Sequence, residues 1–192
     1  MTLPHIIRAT RVAQGPLLKR QITRSISIGT DLKKSSATWQ PARPWFDDGN
    51  SNLAADNELT MEKVFAGKKV AVFGVPAPFT GTCSYAHVPP YNQLRAEFAA
   101  AGVDAVVCYS VSCPYANYNW GLGMKAMKLT FVSDVGGEWS DEHDLTVDYS
   151  ATSLGKRSKR FSMIVDDGVV KSFNVVEDAS GDAEVLLEQA KK

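Results

Sequence analysis

Cysteine and histidine are scarce in this chain, with three of each among 192 residues. Thiols at Cys83, Cys108 and Cys113 are too few for the disulfide framework of a small secreted domain, and they lack the paired spacing of a structural zinc site. There is no Cys-x-x-Cys, because Ala86 holds the fourth place after Cys83; the usual signature of thiol–disulfide exchange is missing. No apolar run reaches the length of a membrane span. Net charge is missing too: 21 basic residues balance 21 acidic ones, which gives no argument for a nucleic-acid partner. No internal repeat is visible. What remains is an ordinary globular composition, 44% hydrophobic and 22% charged, sufficient for one domain with a real core in a reducing compartment.

One further absence is local. Residues 1–30 carry Arg8, Arg11, Lys19, Arg20 and Arg24 without a single Asp or Glu, among Thr2, Thr10, Thr23, Ser25 and Ser27. Arginine-rich, hydroxyl-rich and acid-free composition is that of an organelle transit peptide, with the mitochondrial matrix the first expectation; a basic tail is the plainer alternative, and the cytoplasm or another organelle the other locations. Residues 31–58, rich in Pro, Gly, Asn and Asp from Ser35 to Leu53, are expected to be a linker or extended lead-in, with the domain proper at 59–192.

From there apolar strands alternate with helical patterns. Strands are expected at Lys69–Val75, Val103–Val111 and Leu129–Ser133. Helices are expected at Cys83–Ala101, with Leu94, Phe98 and Ala101 on one face and Gly102 as the stop, at Pro114–Met127, and briefly at Glu138–Leu145. Phe161–Val165 and Val169–Val176, joined through Asp166-Asp167-Gly168, give a hairpin signal, and Asp182–Gln189 closes the chain as a helix. Alternating β and α units followed by a hairpin and a final helix predict a three-layer α/β sandwich of thioredoxin type, a central mixed sheet flanked by helices.

Cys83 falls where the first strand ends and a helix begins. The first N–H groups of a helix have no partner inside it and, with the macrodipole, place positive charge beside the sulfur; a thiol there ionises more readily than a free one. The surrounding run, Pro76-Ala-Pro-Phe-Thr80-Gly-Thr-Cys83-Ser-Tyr-Ala-His87-Val-Pro, resembles the peroxidatic loop of the peroxiredoxins. With His87 and Pro89 shortly after the cysteine it is similar to their type II, or five-type, branch. Two further segments agree: Ser110-Val111 leading through aromatics to Trp120-Gly121, and Gly155 to Gly168 with Arg157 and Arg160. Together these blocks span residues 60–190.

The resemblance implies a thiol peroxidase that reduces hydrogen peroxide and small alkyl hydroperoxides through a sulfenic acid. It would need no cofactor or metal. A thiol reductant, either glutathione with glutaredoxin or thioredoxin, would recycle it, and a homodimer is expected. Cys83 would be the nucleophile, and Thr80 would hydrogen-bond the peroxide. Pro76 would shape and shield the loop, and Arg160 would set its guanidinium against sulfur and peroxide; Arg157 and His87 would stand behind them. Gly81 replaces a proline common in the family and Pro78 an alanine, which bears on loop stiffness. No cysteine follows position 113, so the resolving thiol is Cys113, Cys108 or one from another molecule. Cys113, at a strand end, is the better internal candidate, because Cys108 sits mid-strand. The alternative function is a non-enzymatic redox sensor or interaction module on the same scaffold.

Each residue also admits another reading. Thr80 suits a helix cap, and Lys156, Arg157, Lys159 and Arg160 suit a solvated face. His87, four residues after Cys83, has the spacing of a cysteine hydrolase's general base or of a second metal ligand, though no further partners accompany it. His143 stands among Asp141, Glu142 and Asp144 and is expected in a solvated acidic patch. Gly121-Leu-Gly123 lacks the partners of a phosphate loop and is expected to serve packing.

Overall fold

The computed structural model describes residues 25–45 and 57–192. Strand β3 (Lys69–Gly74) is buried at every position after its first, as its unbroken run of apolar residues requires of a strand covered on both faces. It lies between β4 (Ala105–Ser110), with which it is parallel, and β8 (Phe161–Asp166), with which it is antiparallel. The sheet continues outward from β4 through β5 (Thr130–Ser133), β1 (Thr38–Pro41) and β2 (Leu59–Thr60), and from β8 to β9 (Val169–Val175). Alternation along the strands supplies two cores. Ala71 and Phe73 face one side with Tyr91, Phe98, Trp120 and Leu186; Val70 and Val72 face the other with Trp39, Phe65, Tyr109 and Trp139. Helices α2 (Val88–Gln93), α3 (Arg95–Ala100), α4 (Pro114–Gly123) and α6 (Asp182–Ala190) supply residues to the first core. The second is covered by α1 (Met61–Phe65) and α5 (Glu138–Glu142). This is the thioredoxin-type mixed sheet that the alternating pattern predicts.

Local chemistry fixes the hairpin that later carries the site. Asp167 and Gly168 take φ of 45° and 81°, the paired left-handed geometry of a two-residue turn whose twist matches the strands. The Asp167 carboxylate holds the turn in place by accepting the Gly67 N–H at 2.8 Å and the Lys33 ammonium at 2.9 Å. Where β3 meets β8, Gly74 is required by space: a Cβ there would lie 2.1 Å from the Phe161 ring.

Four segments differ from the sequence expectation. Within the expected lead-in, Leu32 and Trp39 are fully buried and β1 pairs with both β2 and β5. Backbone bonds between Gly29, Thr30 and Val170 bring the chain onto the sheet earlier still. The folded body therefore begins before Leu59, since the segment that carries the buried Trp39 is itself paired into the sheet. Residues 1–24 of the expected transit segment and residues 46–56 lie outside the described residues. The helix expected from Cys83 to Ala101 is divided into a π turn (Cys83–His87), α2 and α3, with a break at Leu94. Pro89 and Pro90 account for the π turn. A proline ring clashes with the carbonyl four residues back, and the wider turn, closed by the Val88 N–H on Cys83 O, removes that clash. A second hairpin, β6 (Thr146–Tyr149) with β7 (Gly155–Ser158), is additional to that expectation; Leu145, Val147 and Tyr149 alternate with polar residues into and along its first strand, but the second, Gly-Lys-Arg-Ser, carries no apolar residue. Finally, His143 is only 4% exposed and packs with its ring centre 4.6 Å from that of Trp139, so the acidic neighbours face solvent without it.

Candidate active site

The chain leaves β3 with the Val75 N–H bonded to Tyr109 O at 2.9 Å, passes through Pro76, and becomes helical at Gly81. Within this loop the Thr80 hydroxyl donates to Ala77 O at 2.9 Å, and the Ser84 N–H closes on Thr80 O at 2.9 Å. Thr80 thus closes the turn with its hydroxyl and opens the helix with its carbonyl. Its hydroxyl proton is committed, which leaves the oxygen lone pairs as acceptors. Phe79 takes a left-handed φ of 61° with its ring exposed. Cys83 follows in the first turn, 1% exposed and packed with the core that includes Phe73 and Val75.

Arg160 reaches this sulfur from the opposite side. It sits between β7 and β8, its carbonyl held by the Val176 N–H at 3.0 Å. Its guanidinium is a fork: Nη2 donates to Cys83 Sγ at 3.4 Å and Nη1 to His87 Nδ1 at 2.9 Å. A guanidinium has no acceptor, so His87 Nδ1 carries no proton and Nε2 carries one, donated to Asp182 Oδ2 at 2.9 Å. Burial depresses the pKa of His87 below its ordinary value, the Arg160 charge adds to that, and Asp182 opposes it. Asp182 also accepts the Tyr91 hydroxyl at 2.5 Å and the Ser162 hydroxyl at 2.7 Å. A cation is thus fixed beside a buried sulfur in the first turn of a helix.

Beside the site, on the Ser84 side, lies an open concavity of about 490 Å³ lined by Phe79, Ser84, Tyr85, Pro89, Trp120, Gly123 and Met124. Cys83 is not part of its lining. The Trp120 indole N–H donates to Ser84 Oγ at 3.0 Å and ties α4 to the turn that carries the cysteine.

A family model described as Redoxin matches residues 42–188. The mitochondrial peroxiredoxin-2F of Oryza sativa subsp. japonica is 40% identical over 173 residues, covering 86% of this chain and 85% of that protein. The chain belongs to the type II peroxiredoxins. Among solved structures, reduced Prx3 from Vibrio vulnificus is 30% identical with a TM-score of 0.73, covering 87% of this chain and 99% of that one. The same Vibrio protein in complex with hydrogen peroxide is 29% identical, TM-score 0.70, covering 84% and 99%. Membership makes the chain a thiol peroxidase, with a peroxide as substrate and a thiol as reductant.

Of the residues singled out in the sequence, this peroxiredoxin brings Cys83, His87 and Arg160 into one bonded group, with Pro76 and Thr80 in the loop that leads to it. Arg157 turns elsewhere and donates to Val111 O at 3.0 Å and Lys156 O at 3.2 Å. Lys156 pairs with Asp141, and Lys159 reaches Asp144 O, so those two lysines do form a solvated face. The hydrolase geometry for His87 is not met: both ring nitrogens are occupied by Arg160 and Asp182, and the π turn moves the fifth residue out of register with the first. All three cysteines are free. Cys108 is buried mid-strand, where desolvation pushes its thiol pKa well up. Cys113 is exposed at the N-cap of α4. Gly121 does serve packing, since a Cβ would lie 2.8 Å from the Phe131 ring, whereas a Cβ at Gly123 would point into open space. Asp182, Tyr91, Ser162 and the Ser84–Trp120 bond went unread in the sequence. Asp182 is 95 positions from His87, and no spacing rule connects them.

Proposed function

We propose that this peroxiredoxin reduces hydrogen peroxide and small alkyl hydroperoxides at Cys83. The thiolate attacks the terminal oxygen of the peroxide; the S–O bond forms as the O–O bond breaks. The departing oxygen leaves with the bonding pair and takes up, through solvent, the proton that the thiol released on ionising, giving water or an alcohol and a sulfenic acid on Cys83. Arg160 stabilises the charge as it moves from sulfur to oxygen, and Thr80 accepts a hydrogen bond from the peroxide O–H with the lone pairs left free by its bond to Ala77. The Arg160 Nη2 contact with Cys83 Sγ at 3.4 Å carries this reading, because it places a fixed cation where the charge begins. Pro76, in the preceding loop, limits water at the site.

Recycling is by an external thiol: glutathione with glutaredoxin, or thioredoxin, attacks the sulfenic sulfur, releases water, and a second thiol frees Cys83. The exposed Cys113 is the alternative first attacker. A homodimer and a mitochondrial location complete the proposal, the latter supported by the composition of residues 1–30 and by the printed name of the rice relative. The test is peroxide consumption with each reductant supplied. Cys83→Ser is expected to lose all thiol-dependent turnover, and Cys113→Ser to keep it; turnover retained by the serine variant at 83 would end the proposal.

A further inference from the structure

Behind Arg160 lies a buried relay that the chemistry at sulfur does not use directly. His87 is fully buried and Asp182 is 5% exposed. The His87 ring is packed edge-on against Phe73, centroids 5.1 Å apart, and Tyr91, 5.6 Å apart, and these two rings stack on each other at 3.9 Å. Neutral imidazole has two tautomers, and which nitrogen keeps the proton is set by the bond the other ring nitrogen makes. Only the Nε2–H form leaves a lone pair on Nδ1 for the guanidinium; the other form would set donor against donor. Asp182 is an acceptor at the far end of the ring and so selects the useful tautomer. The carboxylate is itself fixed from three elements, by Tyr91 of α2, Ser162 of β8 and its own place as the first residue of α6. Asn174 of β9 donates to Ser162 Oγ at 3.1 Å and exchanges two 3.0 Å bonds with Gln189 of α6, which steadies the support.

We propose that Asp182 is a positioning residue for the peroxidase reaction: through the His87 ring it fixes the tautomer that accepts Arg160, and thereby holds the guanidinium against Cys83 Sγ. This rests on the reading of Arg160 and Cys83 given above. A merely structural Asp182, tying α6 to α2 and β8, would affect stability alone, so the test reads other quantities. These are the ¹⁵N signals of the His87 ring, the pH midpoint of Cys83 alkylation by iodoacetamide, and the second-order rate constant with hydrogen peroxide.

The wild-type ring is expected in the Nε2–H form. Asp182→Ala should mix the tautomers, raise the alkylation midpoint by about one pH unit and slow the peroxide reaction about tenfold, one unit in an ionisation constant being a factor of ten. Asp182→Asn, whose carbonyl oxygen still accepts from Nε2–H, should restore the rate to within about threefold, since it keeps the bond geometry without the charge. In an Arg160→Ala background, adding Asp182→Ala should change neither midpoint nor rate, as expected of residues acting through one contact. A wild-type Nδ1–H ring overturns the proposal whatever the variants do. So does an Asp182→Ala protein that melts earlier while ring signals, midpoint and rate hold, or a full Asp182→Ala loss in the Arg160→Ala background. A full rate in Arg160→Ala alone strikes at the underlying reading of the site and removes this inference with it.

Discussion

Replacing Arg160 isolates what a forked cation contributes beyond charge. Its two terminal nitrogens serve two partners at once, Cys83 Sγ at 3.4 Å and His87 Nδ1 at 2.9 Å. At 3.4 Å two unit charges attract by about 5 kcal/mol at an effective dielectric of about 20. Water entering the gap of Arg160→Ala returns part of that. Removal of a donor aimed at developing charge costs about 2.7–4 kcal/mol elsewhere, so Arg160→Ala is expected to slow the reaction with hydrogen peroxide about 10²- to 10³-fold. Arg160→Lys keeps the charge on a single nitrogen that can serve the sulfur or the imidazole but not both, and is expected to lose about tenfold. Stopped-flow fluorescence is suited to the measurement, because the Trp120 indole is bonded to Ser84, the neighbour of Cys83. Melting curves confirm that each variant is folded. An alanine variant within threefold of the parent would refute the electrostatic argument. A lysine variant as fast as the parent would refute the fork.

Gly74→Ala puts a methyl group 2.1 Å from the Phe161 ring where β3 and β8 are paired, and overpacking of this kind is expected to cost about 1–3 kcal/mol, read as a lower urea midpoint with unchanged slope. An unchanged midpoint would mean that the strands separate freely. His87 makes stability depend on pH. Burial holds its folded pKa below the ordinary value of 6.5, so the unfolded chain binds a proton that the folded one refuses. The contribution is complete above 6.5 and is lost as pH falls through the folded value. The melting temperature is therefore expected to decline on acidification below 6.5 and to decline less in His87→Gln; parallel curves would contradict the buried neutral ring.

What could be read in advance follows from the range of the interactions. Cys83 and the strand that presents it are legible because the loop and the helix start are contiguous, Thr80 stands on its family spacing to Cys83, and Asp167-Gly168 announces its hairpin through turn chemistry alone. Arg160 was legible only through its resemblance to a family pattern, since four neighbouring cations look alike until one meets a sulfur 77 positions away. Trp39 falls in a stretch that reads as linker or extended lead-in, because what buries it comes from Phe65, Tyr109 and Trp139, none of them near in sequence. The charge of its neighbours points His143 to solvent, although the face it presents to Trp139 decides its burial. The π turn depends on Pro89 and Pro90, both visible, but its effect of taking His87 out of register with Cys83 appears only once the Val88 N–H is seen to skip to Cys83 O. The relay to Asp182 joins α2, β8 and α6, and no local pattern encodes it.

The central claim is that one sulfur, at Cys83, meets the peroxide. Peptide mass spectrometry after treatment with one equivalent of hydrogen peroxide, with a sulfenic-acid trap present, tests it most directly. The account predicts one trap adduct, formed from a sulfenic acid with loss of water, on the Cys83 peptide, with Cys108 and Cys113 still alkylated as free thiols. Oxygen on Cys113 or on methionine, with Cys83 unmodified, would contradict it.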